Sequence, residues 1–469
     1  MIALALALVL SSATAGLEHA VWLGIVELPG GTNLEFSVEL EKDSGTISIP
    51  MQNAKDLPLS DVSVTDKALK FSIRSAGAVW EMVVSDDGKS ATGVLKQGGE
   101  FKTTMKRLAA GETAVKELKR PQEPKPPFPY ASVEVTFENQ AAGGATLAGT
   151  LCVPSGNGPF PCVVMVTGSG PQNRDEALLG HRPFLVIADH LARHGIAVLR
   201  YDDRGVGAST GSFSGATSDD FAEDALAALE FLKSRKEVDA KRIGIVGHSE
   251  GGVIAPICAA RSKDVAFIVL LAGTGMRGAE LLPLQTKLIS MAAGVPAAEA
   301  ELQAKESAEV FAMMVAGKSD AELKEAIRAA AMRQLKVDPE TKDAGEEELG
   351  KKADAVVAEQ AAMVLSPWFK LFIVMDPREN LEKVVCPVLA VNGEKDLQVP
   401  PKENLSRIEK TLKDVGNKDV TIIEFPGLNH LFQACKTGSP SEYAEIEETF
   451  SPVALEAVTS WIRKRTGLD

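Results

Sequence analysis

Cysteine and basic charge are both scarce in this sequence. Five cysteines occur in 469 residues, and none of them forms a C-x-x-C pair. An odd, scattered set of this kind is a poor disulfide framework and a poor zinc site, so we expect buried free thiols. The formal net charge is -14. Nucleic acid is therefore not expected as a partner, because a surface that binds phosphates must be basic.

A long apolar run is also missing from the N-terminus. Residues 1–15 are apolar, but their run is too short to cross a bilayer, so no stable membrane insertion is expected. The run ends in Ala13-Thr14-Ala15, a small-x-small cleavage pattern, although a basic n-region is absent. We predict a signal peptide at 1–15 and a secreted or periplasmic protein. The alternative is a buried N-terminal strand.

The length predicts two or three domains, and the first of them has a period of two. Within residues 16–110, Leu34, Phe36, Val38 and Leu40 alternate with polar residues. This alternation predicts half-buried antiparallel strands in a small all-β sandwich or barrel. No catalytic constellation falls in this region. Residues 111–130 are predicted to be a linker, because five prolines between 121 and 129 forbid a helix or a central strand.

From residue 131 to 469 the pattern changes to continuous apolar runs that alternate with helical stretches. Such runs are typical of parallel strands buried on both faces, so the second domain is predicted to be α/β, with helices on both sides of a mostly parallel sheet. Between about 275 and 377 the alternation stops and helices dominate, which predicts a helical cap. The five apolar runs are Cys162–Val166, Ile196–Leu199, Ile243–Val246, Val265–Leu271 and Val388–Val391.

A G-x-S-x-G motif follows one of these strands. The segment reads Gly247-His248-Ser249-Glu250-Gly251-Gly252, and an apolar helix follows it. In this setting the motif is typical of a nucleophile in a strained strand-to-helix turn, where side chains at 247 and 251 would clash. Ser249 is the predicted nucleophile. The alternative is a glycine-rich turn with an idle serine.

A nucleophilic serine needs a base and a residue that orients the base, in the chain order serine, acid, histidine. His430 is the only histidine after Ser249, so it is the predicted base. The loop after strand Val388–Val391 carries two carboxylates. We predict that Asp396 is the acid, with Glu394 as its competitor.

The oxyanion hole is predicted from backbone amides. A glycine-rich loop, Gly168-Ser169-Gly170, follows strand Cys162–Val166, and Ser169 is the expected first donor. The second donor is expected from the amide of Glu250. A phosphate cradle is the rival interpretation, but no Lys-Ser/Thr pair follows the glycines.

Other polar residues are given structural roles. Asp202 and Arg204 are expected to form an ion pair that braces a loop, and His248 is expected to point away from the nucleophile. His190 and His194 lie four residues apart on a helix, a spacing that can bind metal. The H-E-x-x-H glutamate and an obvious third ligand are missing, so neither a metal nor another cofactor is predicted.

Residues 131–469 resemble the α/β-hydrolase superfamily, in particular its serine aminopeptidase-like and dienelactone-hydrolase-like branch. The resemblance extends to bacterial secreted esterases with a β-rich N-terminal domain. It implies carboxylester hydrolysis without a cofactor and a helical cap over the site. Thr167 departs from the pattern, since many relatives begin the oxyanion loop with histidine. The segments that carry the resemblance are residues 168–176, Tyr201-Asp202-Asp203-Arg204-Gly205, residues 247–252 and Leu428-Asn429-His430-Leu431-Phe432-Gln433.

These observations together predict a serine hydrolase that cleaves a small-molecule ester through an acyl-enzyme. An aminopeptidase remains open because Glu250, Asp175 and Glu176 could bind a free amine, and an acyl-CoA thioesterase remains open on the same residues. An inert binding protein is the alternative from another class. Apolar cap residues favour an apolar acyl or alcohol group over a charged terminus, although packing between helices is the leading explanation for any single one of them. They are Phe311, Met313, Met314, Trp368, Phe369 and Phe372.

Overall fold

The computed structural model of the protein describes residues 17, 19–27, 33–52, 54–109, 119–141, 143–337, 341 and 343–468. The proposed signal peptide at 1–15 and residues 111–118 of the predicted linker lie outside these residues. The chain divides into two units. The first contains the described residues up to Pro121 together with Leu178–His181, and the second contains Gln122–Ala177 and the residues from Arg182 onward.

The first unit is built on one antiparallel sheet of nine strands. Their order across the sheet is β4-β3-β2-β1-β9-β8-β7-β6-β5. The strands are β1 (Ala20–Glu27), β2 (Asn33–Leu40), β3 (Gly45–Ile49), β4 (Ala54–Pro58), β5 (Ser60–Val64), β6 (Ala68–Ile73), β7 (Ala78–Val84), β8 (Ser90–Lys96) and β9 (Glu100–Arg107).

Alternating side chains of these strands form the core of this unit. Trp22, Phe36, Phe71 and Trp80 are buried, and the rings of Phe71 and Trp80 stack with their centroids 5.2 Å apart. Successive side chains of a strand point to opposite faces, so the period of two buries one face and exposes the other. The prediction of an all-β N-terminal domain is confirmed.

The second unit contains a mixed sheet of eight strands in the order β10-β11-β13-β12-β14-β15-β16-β17. The pairs β10–β11 and β11–β13 are antiparallel, and every other pair is parallel. The strands are β10 (Ala131–Asn139), β11 (Ala145–Val153), β12 (Phe160–Val166), β13 (Ala197–Tyr201), β14 (Val238–His248), β15 (Ile268–Leu271), β16 (Val388–Gly393) and β17 (Val420–Phe425).

Helices cover both faces of this sheet, as predicted. On one face α1 and α11 pack together over one apolar cluster, and on the other α2, α3 and α10 pack over a second cluster. The helices are α1 (Pro183–Arg193), α2 (Ser218–Lys233), α3 (Gly251–Arg261), α4 (Gly278–Ala292), α5 (Ala297–Val315), α6 (Asp320–Val337), α7 (Glu346–Val364), α8 (Pro367–Val374), α9 (Arg378–Leu381), α10 (Pro401–Asp414) and α11 (Pro452–Thr466).

The strand order reverses direction at β12. The chain passes from β12 to its neighbour β13 and then returns to pair β14 with the opposite edge of β12. In open α/β sheets, ligands bind at such a switch point, in the crevice outside the carboxyl ends of the strands. The loops that begin at Thr167 after β12 and at Ser249 after β14 flank this crevice.

Helices α4 to α8 form the predicted insertion between β15 and β16. Most of its apolar residues pack against one another: Phe311, Met314 and Phe369 are buried in one cluster and Phe372 in a second. These four side chains are therefore helix-packing core. Within the described residues, no single helix is long and apolar enough to span a membrane. Only the pair α7 and α8, bent by 75° at the break between them, has sufficient length and apolar character when the two are taken together.

Candidate active site

Ser249 occupies a strained turn between β14 and α3. Its φ of +53° is in the left-handed region, which a residue with a Cβ adopts only when its surroundings enforce it. A Cβ on Gly247 would lie 1.9 Å from the Gly251 carbonyl oxygen, and one on Gly251 would lie 2.2 Å from that of Val166. Both positions therefore require glycine. The tight turn places Ser249 at the switch point, immediately before the N-terminus of α3.

Asp396 and His430 form a buried pair at the same edge of the sheet. Asp396 Oδ2 accepts a hydrogen bond from His430 Nδ1 at 2.8 Å and one from Asn392 Nδ2 at 3.0 Å. Its Oδ1 accepts bonds of 2.8 Å from the backbone amides of Gln398 and Val399. Four donors thus hold the carboxylate in one orientation. Because the carboxylate faces Nδ1, the proton of neutral His430 lies there, and Nε2 is left as the basic atom.

Glu394 has a different environment. Its side chain is exposed, and Oε2 accepts a hydrogen bond from the Gly427 amide at 2.8 Å. The structure therefore places Asp396 against His430 and places Glu394 against the turn that follows β17.

The loop that carries His430 is fixed by its neighbour Asn429. The Asn429 side chain is fully buried, and its Oδ1 accepts bonds from the amides of Leu431 at 3.0 Å and Gln433 at 2.9 Å. A Cβ on Gly393 would lie 2.3 Å from the Leu428 carbonyl oxygen, so the loop packs directly against the end of β16. These contacts restrict the positions that the imidazole can take.

His248 connects the Ser249 turn to the His430 loop. Its Nε2 lies 3.1 Å from the His430 carbonyl oxygen, and its Nδ1 lies 2.9 Å from Glu176 Oε1. A carbonyl and a carboxylate are acceptors, so this arrangement favours the form of His248 with a proton on both nitrogens. Burial disfavours this charged form, but the charge and hydrogen bond of Glu176 outweigh burial and raise the pKa of His248.

The rings of His248 and His430 lie 4.8 Å apart. Within the described residues, no hydrogen bond joins Ser249 Oγ to His430. Catalytic hydrogen bonds of this kind often tighten only when substrate is bound. Sequence reasoning missed Glu176 as the partner of His248, because two residues 72 positions apart carry no signal of their contact.

The loop after β12 lies against Ser249. A Cβ on Gly168 would lie 3.2 Å from Ser249 Cβ, so a side chain there would require a shift of a few tenths of an ångström. The Gly168 amide donates to Glu176 Oε1 at 2.7 Å, whereas Ser169 is exposed. The amide of Gly168 is therefore engaged within the protein.

Asp203 anchors both ends of this loop. Its carboxyl oxygens accept bonds of 2.9 Å from the Thr167 hydroxyl and from the Gln172 amide. Burial raises the pKa of Asp203 to about 7. The loop is thus held by a buried acid that titrates near neutral pH.

The Glu250 side chain points into the protein. It is 3% exposed, and Oε1 accepts hydrogen bonds from Ser218 Oγ at 2.6 Å and from Trp368 Nε1 at 2.8 Å. Ser169 is also a hydrogen-bond partner of this carboxyl, and burial raises its pKa. Trp368, an aromatic residue of the predicted apolar cap set on helix α8, thus contacts the turn around Ser249. No pattern in the sequence indicated this contact.

The predicted Asp202–Arg204 ion pair is wrong. Asp202 pairs with Arg174, whose Nη2 lies 2.9 Å from Oδ2, and Arg204 pairs with Asp224, whose Oδ2 lies 2.7 Å from its Nε. Each of these buried charges finds its partner on a different element, the loop after β12 for Asp202 and helix α2 for Arg204. Closeness in sequence therefore did not identify the partners.

With this geometry established, the chain can be compared with known proteins. The family described as serine aminopeptidase, S33 matches residues 183–433, more than half of the chain and the region that contains Ser249, Asp396 and His430. The chain belongs to the serine aminopeptidase S33 family. It is accordingly a hydrolase with the α/β-hydrolase fold, as the sequence predicted.

This S33-family chain is similar to two sequence relatives and to one solved structure. It is 28% identical to Esterase EstD of Thermotoga maritima over 70% of this chain and 68% of EstD. It is 29% identical to the uncharacterized protein PA2218 of Pseudomonas aeruginosa over 47% of this chain and 55% of that protein. The α/β hydrolase GrgF from Penicillium sp. sh18 superposes with a TM-score of 0.43 at 18% identity, over 72% of this chain and 100% of GrgF.

Proposed function

We propose that this S33-family chain is a carboxylesterase that uses Ser249, His430 and Asp396 as its catalytic triad. Ser249 Oγ attacks the ester carbonyl carbon while His430 Nε2 accepts its proton. His430 then delivers that proton to the departing alkoxide, and water hydrolyses the acyl-enzyme by the same route. The observation that carries the proposal is the buried Asp396–His430 bond of 2.8 Å, at the edge of the sheet that also holds Ser249.

The oxyanion is assigned to backbone amides. The Glu250 amide precedes the N-terminus of α3, where the helix dipole favours negative charge. The second donor is the Ser169 amide, because Gly168, the adjacent alternative, already donates to Glu176. Two amides that are fixed before the reaction stabilise the tetrahedral intermediate without reorganisation.

An ester is favoured over a peptide because the acidic side chains near the site are already engaged. A site that recognises a free amine needs a carboxylate available to the substrate. Glu250 accepts from Ser218 and Trp368, and Glu176 pairs with His248. Asp175 pairs with Arg200 and with Arg182. Each of the three carboxylates that could have bound an amino terminus is thus neutralised or bonded within the protein.

The test is a matched substrate series on the purified chain. One acyl group is presented as its ester, its anilide and its thioester, together with free-amine aminoacyl anilides. We expect the ester to exceed the anilide by at least about 10²-fold in kcat/KM, which is about 3 kcal/mol in transition-state free energy. An alkoxide leaves readily, whereas an amine must be protonated as the intermediate collapses.

Ser249→Ala is the control, since it must abolish every rate that belongs to the site. If kcat/KM on the aminoacyl anilides is comparable to that on the ester, an aminopeptidase replaces the esterase proposal. A clear preference for the thioester would replace it with a thioesterase.

A further inference from the structure

Two histidines and a glutamate converge where helices α1 and α11 meet. His190 lies in the last turn of α1, His194 caps the C-terminus of that helix, and their ring centroids are 4.4 Å apart. Glu456, on α11, supplies a carboxylate to the same point. One ligand atom from each of the three residues lies within 4.8 Å of the other two. The fold thus provides the third ligand that is not apparent from the sequence around the histidines.

The second nitrogen of each histidine already has a partner. His194 Nδ1 lies 2.7 Å from the His190 carbonyl oxygen, which can only accept, so neutral His194 carries its proton on Nδ1 and leaves Nε2 free to bind a metal. His190 Nδ1 lies 2.9 Å from Thr459 Oγ1 on α11. Histidines that ligate metals almost always bond their other nitrogen in this way, which fixes the tautomer and the orientation of the ring.

We propose that His190, His194 and Glu456 form a binding site for a divalent metal ion, with Zn²⁺ as its best occupant. Two imidazoles and one carboxylate are a known ligand set for Zn²⁺, with a water molecule in the fourth position. The site is distinct from the Ser249 machinery, since its residues lie on the outer helices α1 and α11. A metal there would join α11, near the C-terminus, to α1.

The required movement is small and falls on the most exposed of the three side chains. Ligands at about 2.1 Å from a tetrahedral Zn²⁺ lie about 3.4 Å from one another, so ligand atoms that lie within 4.8 Å must converge by at most about 1.4 Å. Glu456 is exposed, and its Oε1 accepts only a surface hydrogen bond from Ser460, on the next turn of the helix. A rotation of this side chain can close the site without moving either helix.

The proposal is tested by titrating the full chain, stripped with a chelator, with Zn²⁺ in a calorimeter. We expect one strong site per chain that is weakened at least about 100-fold in Glu456→Gln and in His194→Ala, because losing a ligand costs more than the 10- to 100-fold typical of an outer-shell partner. His19→Ala is the matched control, since His19 is an exposed histidine of the first unit, and it should bind Zn²⁺ as the unmodified chain does.

A second readout is thermal unfolding. Zn²⁺ at 100 times its Kd should raise the Tm by several degrees in the unmodified chain and in His19→Ala, but not in Glu456→Gln, because a ligand that binds only the folded state stabilises it. Glu456 is exposed, so this variant should fold normally. Equal Zn²⁺ affinity in Glu456→Gln and the unmodified chain would overturn the proposal, as would the lack of any site tighter than millimolar.

Discussion

Replacing Asp396 by asparagine should reverse the tautomer of His430. Oδ1 accepts hydrogen bonds from two backbone amides, so the oxygen of an asparagine must take that position. Its NH₂ group then faces His430 Nδ1, which in the unmodified protein donates to Asp396 Oδ2. The imidazole can satisfy this donor only by moving its proton to Nε2. In that form His430 cannot accept the proton of Ser249.

The expected loss in kcat is about 10⁴-fold, the size found when a triad aspartate is changed to asparagine with the geometry kept. This corresponds to about 5.4 kcal/mol of transition-state free energy. The new NH₂ also faces Asn392 Nδ2, and one donor left without an acceptor should lower the free energy of unfolding by about 1–3 kcal/mol.

The assay is the steady-state hydrolysis of a chromogenic short-chain ester, with thermal unfolding to establish that Asp396→Asn is folded. Glu394→Gln is the matched control: its side chain is exposed, and an amide oxygen can still accept from Gly427, so kcat should change less than about twofold. The reasoning is refuted if folded Asp396→Asn keeps more than a tenth of the kcat of the unmodified chain. It is also refuted if Glu394→Gln lowers kcat as much as Asp396→Asn does.

Three further perturbations address the serine, its neighbour and the oxyanion loop. Ser249→Ala and His430→Ala should each lower kcat by about 10⁴-fold or more, with the double variant hardly worse, because the two groups act as one unit; near-additive losses would contradict this. His248→Gln should lower kcat about tenfold or more and shift the pH profile of kcat while KM changes little. The reason is that the buried charge that holds the His430 carbonyl is lost. An unchanged pH profile would mean that His248 only contributes packing. Asp203 has a folded pKa of about 7, above its unfolded value of 3.8, so the folded protein binds more protons and the free energy of unfolding should fall as pH rises from about 4 to 7. Urea unfolding of Asp203→Asn should lack this fall. An unaltered pH dependence in the variant would contradict the raised pKa of Asp203.

The parts of the fold that follow from local pattern could be predicted from the sequence. Strands buried on both faces read as continuous apolar runs, and the change from a period of two to such runs separates the two sheets. The turn around Ser249 was predictable because only glycine fits at 247 and 251. His430 followed from elimination, since it is the only histidine after Ser249.

Contacts between distant elements could not be predicted in the same way. Periodicity indicates which face of an element is buried but not which side chain lies opposite. Glu250 was treated as a possible amine ligand until the fold placed Trp368, 118 residues later, against its carboxyl. His190 and His194 lacked a third ligand until α11 brought Glu456 beside them.

The catalytic role of Ser249 can be tested most directly by covalent labelling. The purified chain is treated with a fluorophosphonate, its intact mass is measured, and the modified peptide is sequenced. We predict one adduct per chain, located on Ser249, that is lost in Ser249→Ala and forms far more slowly in His430→Ala. An adduct on another serine, or a folded protein that is not labelled at all, would contradict the account.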